Sequence, residues 1–178
     1  NTSIPYMEDQ PNWKPGDGTP FFISQGQIGC LLSHYMLWKT LSYLPYDEII
    51  IFEDDIILCE NFKEKFIEYK KQLPDDWQFA FIGYCCLPPE DYQIKISDNI
   101  ITTTHPPMCT HAYMIKKSSI EILLDTNHLA WAHIDIQIHK RSLKYLKHYV
   151  MLPMLVDQKS IHGKERDIFY SVTSEKPR

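Results

Sequence analysis

Apolar positions along the chain follow two periods, and the switches between them outline the elements. Over residues 24–43, Ile28, Leu31, Leu32, Tyr35 and Trp38 recur at helical spacing. Residues 49–52 then read Ile-Ile-Ile-Phe with no polar break, the pattern of a strand buried on both faces and central to its sheet. The run stops at Glu53-Asp54-Asp55, and apolar residues resume at Ile56. Phe62, Phe66, Tyr69 and Leu73 predict an amphipathic helix packed on that sheet. Residues 79–83, Phe-Ala-Phe-Ile-Gly, predict a second buried strand that makes a βαβ unit with the first. The alternation of helix and strand predicts a single α/β domain whose mainly parallel sheet is flanked by helices.

Farther along the pattern is weaker. Residues 84–99, with Pro88-Pro89, read as a long polar loop of the kind reserved for functional surfaces. Residues 100–104 predict an edge strand stopped by Pro106-Pro107, and residues 110–115 another strand. Ser118-x-x-Glu121 is a capping-box signature that opens a short helix through Leu124. Residues 133–139 alternate as a strand would, whereas 140–146 space Leu143 and Leu146 as a helix would; the expectation is a helix from near Asp135. A short strand at 149–152 precedes Pro153. Residues 1–23, rich in Pro, Gly, Asp and Asn, read as an arm or loop, and 163–178 as a polar tail. The folded domain is therefore placed at 24–162.

Composition narrows the classes. With 178 residues, 44% of them hydrophobic, the chain can build one proper core. A net charge of −5 leaves no basic footprint for nucleic acid. No apolar run approaches a membrane span, and no signal peptide is visible. The five cysteines (30, 59, 85, 86 and 109) are odd in number and follow no zinc or disulfide spacing. They read as reduced thiols in a reducing, cytoplasmic compartment, with a location peripheral to a membrane compatible with the rest. Asn1-Thr2-Ser3 has the form of a glycosylation sequon but stands at the chain end.

The candidate chemistry gathers at Glu53-Asp54-Asp55. Three adjacent carboxylates at a strand end resist desolvation and raise one another's pKa. A divalent cation, Mn²⁺ or Mg²⁺, is the usual remedy, and the carboxyl ends of strands are where open α/β sheets bind ligands. The plain alternative is a solvated turn after a core strand. Gly26 and Gly29 in the first turns of a helix cost about 1 kcal/mol each relative to Ala, which points to close approach of a neighbouring element or a ligand there. His34 on the same helix is either a hydrogen-bonded shoulder residue or a substrate contact.

Taken together, Gly26-Gln27-Ile28-Gly29-Cys30-Leu31-Leu32-Ser33-His34 and Ile51-Phe52-Glu53-Asp54-Asp55-Ile56 resemble glycosyltransferase family 25, which includes lipooligosaccharide and collagen galactosyltransferases. The first resembles that family's Gly-x-Ile-Gly-Cys-x-x-Ser-His helix, and the second its Glu-Asp-Asp version of the Asp-x-Asp metal motif. His111-Ala112-Tyr113-Met114-Ile115, Ile134-Asp135 and Leu152-Pro153-x-Leu155-Val156-x-Gln158 resemble its later strand, its later Asp and its closing motif. The resemblance covers residues 24–162. It implies a GT-A fold and a metal-dependent, inverting transfer of a hexose such as galactose. The donor is a nucleoside diphosphate sugar, a UDP-sugar first, and the acceptor a hydroxyl of a glycan, a lipid-linked sugar or a glycosylated protein, as in lipopolysaccharide biosynthesis.

The resemblance also assigns roles. Asp55 is the first metal ligand, Asp54 the second and His162 the third, with His162 otherwise a bystander. Glu53, His34, Gly29 and His111 are substrate-binding candidates, His111 alternatively satisfying a backbone group. Asp135, whose apolar neighbours would desolvate it and raise its pKa, is the candidate general base, or else a helix N-cap. The family begins with a strand resembling Val-Ile-Asn-Leu-Asp-Arg, expected to hold the nucleotide base, and residues 1–23 contain nothing like it. Either that unit lies upstream of Asn1, or it has been lost and the chain is an inactive binding module. A metal-dependent phosphohydrolase built on Glu53-Asp54-Asp55 is disfavoured by the glycine-bearing helix.

Overall fold

The computed structural model describes residues 24–159. The chain divides into two compact units, Asn1–Asp47 with Lys117–Leu146, and Glu48–Lys116 with Lys147–Arg178. Through their described residues the first is helical and the second holds every strand, so the α/β class expected from the sequence stands.

The helical unit opens with α1 (Gln25–Leu41). Ser24 is its N-cap, and a reciprocal capping box with Gln27 satisfies two donors that the first turn would otherwise leave bare. Leu31, His34 and Trp38, spaced along one stripe, are its buried residues. A 3₁₀ turn, Lys117–Ser119, leads into α3 (Ile120–Thr126), counted after α2 (Phe62–Lys70) of the other unit. The Ser118–Glu121 capping box does not form: Ser119 stands at the N-cap and makes no side-chain cap bond, because the 3₁₀ turn already carries the chain into the helix. α4 (Ile134–Gln137) continues through a π turn, Ile138–Ser142, and a 3₁₀ turn, Leu143–Tyr145. The helical expectation from near Asp135 therefore holds over the strand-like alternation. The alternation has a different origin: Ile134, Ile136, Gln137 and Ile138 are all buried, so this short helix hides more than one face.

In the sheet unit, β1 (Glu48–Phe52), β3 (Phe79–Cys85), β4 (Gln93–Lys95), β5 (Ile100–Thr103), β6 (Met108–Lys116) and β7 (His148–Met151) form one six-stranded sheet in the order β1-β6-β3-β7-β5-β4. β2 (Ile56–Leu58) and β8 (Val156–Gln158) pair antiparallel as a separate two-stranded sheet. Among the described residues only β3 and β7 pair in parallel, so the sheet is mostly antiparallel rather than mainly parallel. The reason lies in sheet order. β1 and β3, joined by α2 (Phe62–Lys70), do run in the same direction, but β6 enters between them antiparallel to both.

The same insertion moves β1 to the edge. Ile50 and Phe52 remain 41% and 40% exposed, and the strand alternates between buried and exposed positions. β3, not β1, is the strand buried on both faces, with its first six residues all buried. One sheet face, carrying Ala80, Ile82, Ala112, Met114, Tyr149 and Met151, packs with Tyr69 of α2, Leu73 and Trp77. On the other face the Phe79 and Tyr113 rings stack 5.0 Å apart. The 84–99 segment holds a 3₁₀ turn at Glu90–Tyr92 and all of β4, which takes the edge position expected of β5.

The cysteine reading is also corrected. Cys85 and Cys109 are disulfide-bonded, with their Cα atoms 5.7 Å apart, while Cys30, Cys59 and Cys86 are thiols outside any disulfide. Cys85 stands opposite Met108 in the β3–β6 ladder, so register brings together two residues that spacing alone could not pair. The argument for a reducing compartment from thiols alone falls with it. Among the described residues no helix is long and apolar enough to cross a membrane. The expected arm at 1–23, the tail at 163–178 and the sequon at Asn1 lie outside the described residues.

Candidate functional site

β1 ends at Phe52, and Glu53-Asp54-Asp55 turn the chain into β2. Two neighbouring strands fix this turn through the backbone. The Glu53 N–H donates to the His111 carbonyl of β6 at 2.9 Å, and the Lys159 N–H, just past β8, donates to the Asp55 carbonyl at 2.8 Å.

The side chains follow the same two strands. Thr110 Oγ1 donates to Glu53 Oε1 at 2.7 Å. Gln158 Nε2 donates to Asp55 Oδ2 at 2.9 Å and to Glu53 Oε2 at 3.3 Å. Glu53 thus has both oxygens engaged, whereas Asp55 Oδ1 is buried with no hydrogen-bond partner among the described residues. A buried carboxylate oxygen without a donor is costly unless a proton or a cation supplies the missing charge. A carboxylate oxygen suits a hard divalent ion, so Asp55 fits the metal that the sequence implied. Asp54 is exposed in the same turn.

Beneath the turn lies His111, 1% exposed. Its Nε2–H donates to the Val156 carbonyl of β8 at 3.3 Å, which leaves Nδ1 as a buried lone pair with no partner among the described residues. Burial pushes the His111 pKa below its ordinary 6.5, against the opposing pull of the Val156 bond and of the Glu53, Asp157 and Asp55 carboxylates. Neutral imidazole is the form this environment favours. Room for the ring comes from Gly83 of β3: a Cβ built there would lie 2.4 Å from His111 Nε2 and 2.4 Å from the Val156 carbonyl oxygen. No side chain fits, so β8 lies close against β3 only because residue 83 is glycine.

Of the residues read from sequence, Glu53, Asp55 and His111 are thereby brought together in the sheet unit. Gly29, His34 and Asp135 belong to the helical unit. Gly29 is exposed on α1, and a Cβ there would meet nothing within 4 Å among the described residues, so no described element crowds that glycine. His34 is buried, its ring 6.0 Å from that of Trp38. Asp135 is half-buried; His133 is the N-cap of α4, and Asp135 Oδ1 instead accepts from the Ile136 N–H at 2.7 Å. The loop before it is fastened by buried Gln137, whose Oε1 accepts from Trp131 N at 2.7 Å and from Ala132 N at 3.3 Å. His162 lies outside the described residues.

Sequence reasoning missed Thr110, Gly83 and Gln158 as site residues. Gln158 closes the Leu-Pro-x-Leu-Val-x-Gln stretch and could have been found there; a single Thr or Gly inside a strand carries no such signal.

An α/β chain with a carboxylate turn where a strand ends is consistent with the GT-A-like class of sugar-transferring folds. The profile of glycosyltransferase family 25 (LPS biosynthesis protein) matches residues 10–138, and the chain belongs to that family. It is similar to a glycosyltransferase 25 family member of Aedes aegypti, 26% identical over 62% of this chain and 19% of the relative. Human procollagen galactosyltransferase 2 is 31% identical over 39% of this chain and 12% of its own length. A third relative, from Bos taurus, is described as a probable inactive glycosyltransferase 25 family member 3, and is 26% identical over 43% of this chain and 14% of its own length. The chain thus spans less than a fifth of each of these relatives.

Proposed function

We propose that this chain carries the donor-binding carboxylates of an inverting, metal-dependent glycosyltransferase. It would move a hexose, galactose first, from a nucleoside diphosphate sugar to a hydroxyl of a glycan, a lipid-linked sugar or a glycosylated protein. The observation that carries the reading is Asp55 Oδ1, buried and without a donor among the described residues, on a carboxylate whose other oxygen is already held. Mn²⁺ or Mg²⁺ bound at Asp55, with Asp54 and His162 as further candidate ligands, supplies charge neutralisation for the departing diphosphate. Glu53, with both oxygens occupied by Thr110 and Gln158, holds the turn in shape and is the less available ligand.

Inversion requires a base that takes the acceptor hydroxyl's proton as the new glycosidic bond forms. Asp135 is the residue we assign to that role. Its Oδ1 is engaged by the Ile136 N–H, a bond that orients the carboxylate. Gly29 and His34 on α1 are assigned to substrate binding. The Cys85–Cys109 disulfide supports an oxidising compartment over the cytoplasm expected from the thiols.

Likeness to a relative described as probably inactive supports a second reading, in which the fold binds a sugar or a partner without turning over. One experiment tests the first reading. Asp55→Ala should abolish Mn²⁺-dependent binding of a nucleoside diphosphate or its sugar, measured by calorimetry, with the metal-free melting temperature nearly unchanged. Equal binding by wild type and variant removes Asp55 from the site; binding without turnover for every donor and acceptor pair favours the module.

A further inference from the structure

The bonds around the turn assign different tasks to its two inner carboxylates and show what sets them. Gln158 Nε2 carries two hydrogens, and the structure directs one to Asp55 Oδ2 and the other to Glu53 Oε2, at 2.9 and 3.3 Å. Carboxylates only accept, so the amide nitrogen, not its oxygen, must face them. One neutral donor group thus lies between two anions and eases their repulsion without adding a counter-charge that would compete for a cation.

The strand that carries it is pinned in register. Gln158 stands opposite Ile56, the residue after Asp55, and the next residue's N–H holds the Asp55 carbonyl at 2.8 Å. With its backbone and Oδ2 both fixed from β8, Asp55 has little freedom to rotate, and Oδ1 is the oxygen left over. Glu53 is fixed at both oxygens, by Thr110 and by Gln158, and serves as the fixed post for that amide.

We propose that Gln158 is the positioning residue of this site: it bridges Glu53 and Asp55 so that Asp55 offers Oδ1 alone to a divalent cation. The inference rests on the metal reading given under Proposed function. Gln158 itself touches neither donor nor acceptor; it acts through Asp55.

Mn²⁺ titrations of the full chain, followed by the electron paramagnetic resonance signal of the free ion, test it on wild type, Gln158→Met and Gln158→Ala. Met keeps the unbranched length and loses only the donors, whereas Ala also loses the packing. Outer-sphere partners of metal ligands are worth roughly 10–100-fold in affinity. Both variants should weaken Mn²⁺ binding within that range, and by similar factors, while the metal-free melting temperature of Gln158→Met stays near that of wild type. Wild-type affinity in Gln158→Met overturns this inference and leaves the metal reading standing. So does a Gln158→Met chain that no longer folds without metal, because Gln158 would then support the fold and not the site. No Mn²⁺ binding by the wild type overturns both.

Discussion

Replacing Gly83 by Ala adds one methyl group at the most crowded point beneath the site. The new Cβ would lie 2.4 Å from His111 Nε2, 2.8 Å from His111 Cδ2 and 2.4 Å from the Val156 carbonyl oxygen, where ordinary contacts begin at 3.4 Å. Relief needs a displacement of about 1 Å, and only one of the two obstacles can swing aside, because the Val156 oxygen is backbone. Overpacking of this kind costs about 1–3 kcal/mol. Breaking the His111–Val156 hydrogen bond adds about 0.5–1.5 kcal/mol. Ala in a strand recovers about 0.5–1 kcal/mol relative to Gly through the unfolded chain. The ranges centre on a loss of about 2 kcal/mol, which in a chain of this size lowers the melting temperature by roughly 4–8 °C. Thermal unfolding followed by near-ultraviolet circular dichroism reads it directly. The double variant Gly83→Ala/His111→Ala should recover only part of the loss, since the ring is gone and the carbonyl remains. Mn²⁺ affinity should fall in Gly83→Ala as well, because the pushed strand carries Gln158 away from Asp55. A melting temperature within about 2 °C of wild type would refute the close approach of β8 to β3 on which the site rests.

Three further outcomes are expected. His111 has a pKa lowered from 6.5, so as pH falls through that value the unfolded chain takes up a proton before the folded one does. Its contribution to stability should be complete above about pH 6.5 and lost on acidification toward the lower folded pKa. The difference in melting temperature between wild type and His111→Gln, scanned over ~pH 5–8, reads this, and parallel profiles would contradict it. The native chain unfolded without reductant should titrate three thiols, Cys30, Cys59 and Cys86, and opening the 24-residue separation with Cys85→Ser should cost about 3 kcal/mol in urea unfolding; five titrating thiols would rule the bond out. If Asp135 is the base, Asp135→Asn should lower turnover by ~10²–10⁴-fold at unchanged donor affinity and stability; unchanged turnover would move that role elsewhere.

The sequence by itself determined the elements whose signals are local. α1 is legible from Ser24 to Leu41 because its cap, its period and its length lie within one stretch. The carboxylate turn at Glu53-Asp54-Asp55 is legible because three anions after an apolar run need no distant partner to be noticed. Tertiary structure alone decided the rest, and always for the same reason: strands bond to partners distant in sequence. β6 comes between β1 and β3, which moves the Ile-Ile-Ile-Phe strand from the expected centre to an edge and makes the sheet mostly antiparallel. The β3–β6 register makes a disulfide from Cys85 and Cys109, two cysteines whose spacing means nothing until the strands are aligned. β8, a three-residue strand with no local period to mark it, pairs with β2 and so brings Gln158 to Asp55 across 103 positions of chain. Gly83 belongs with these: along the chain it is one glycine in a strand, and only the ring of His111 and the Val156 carbonyl pressed against it show why no side chain can stand there.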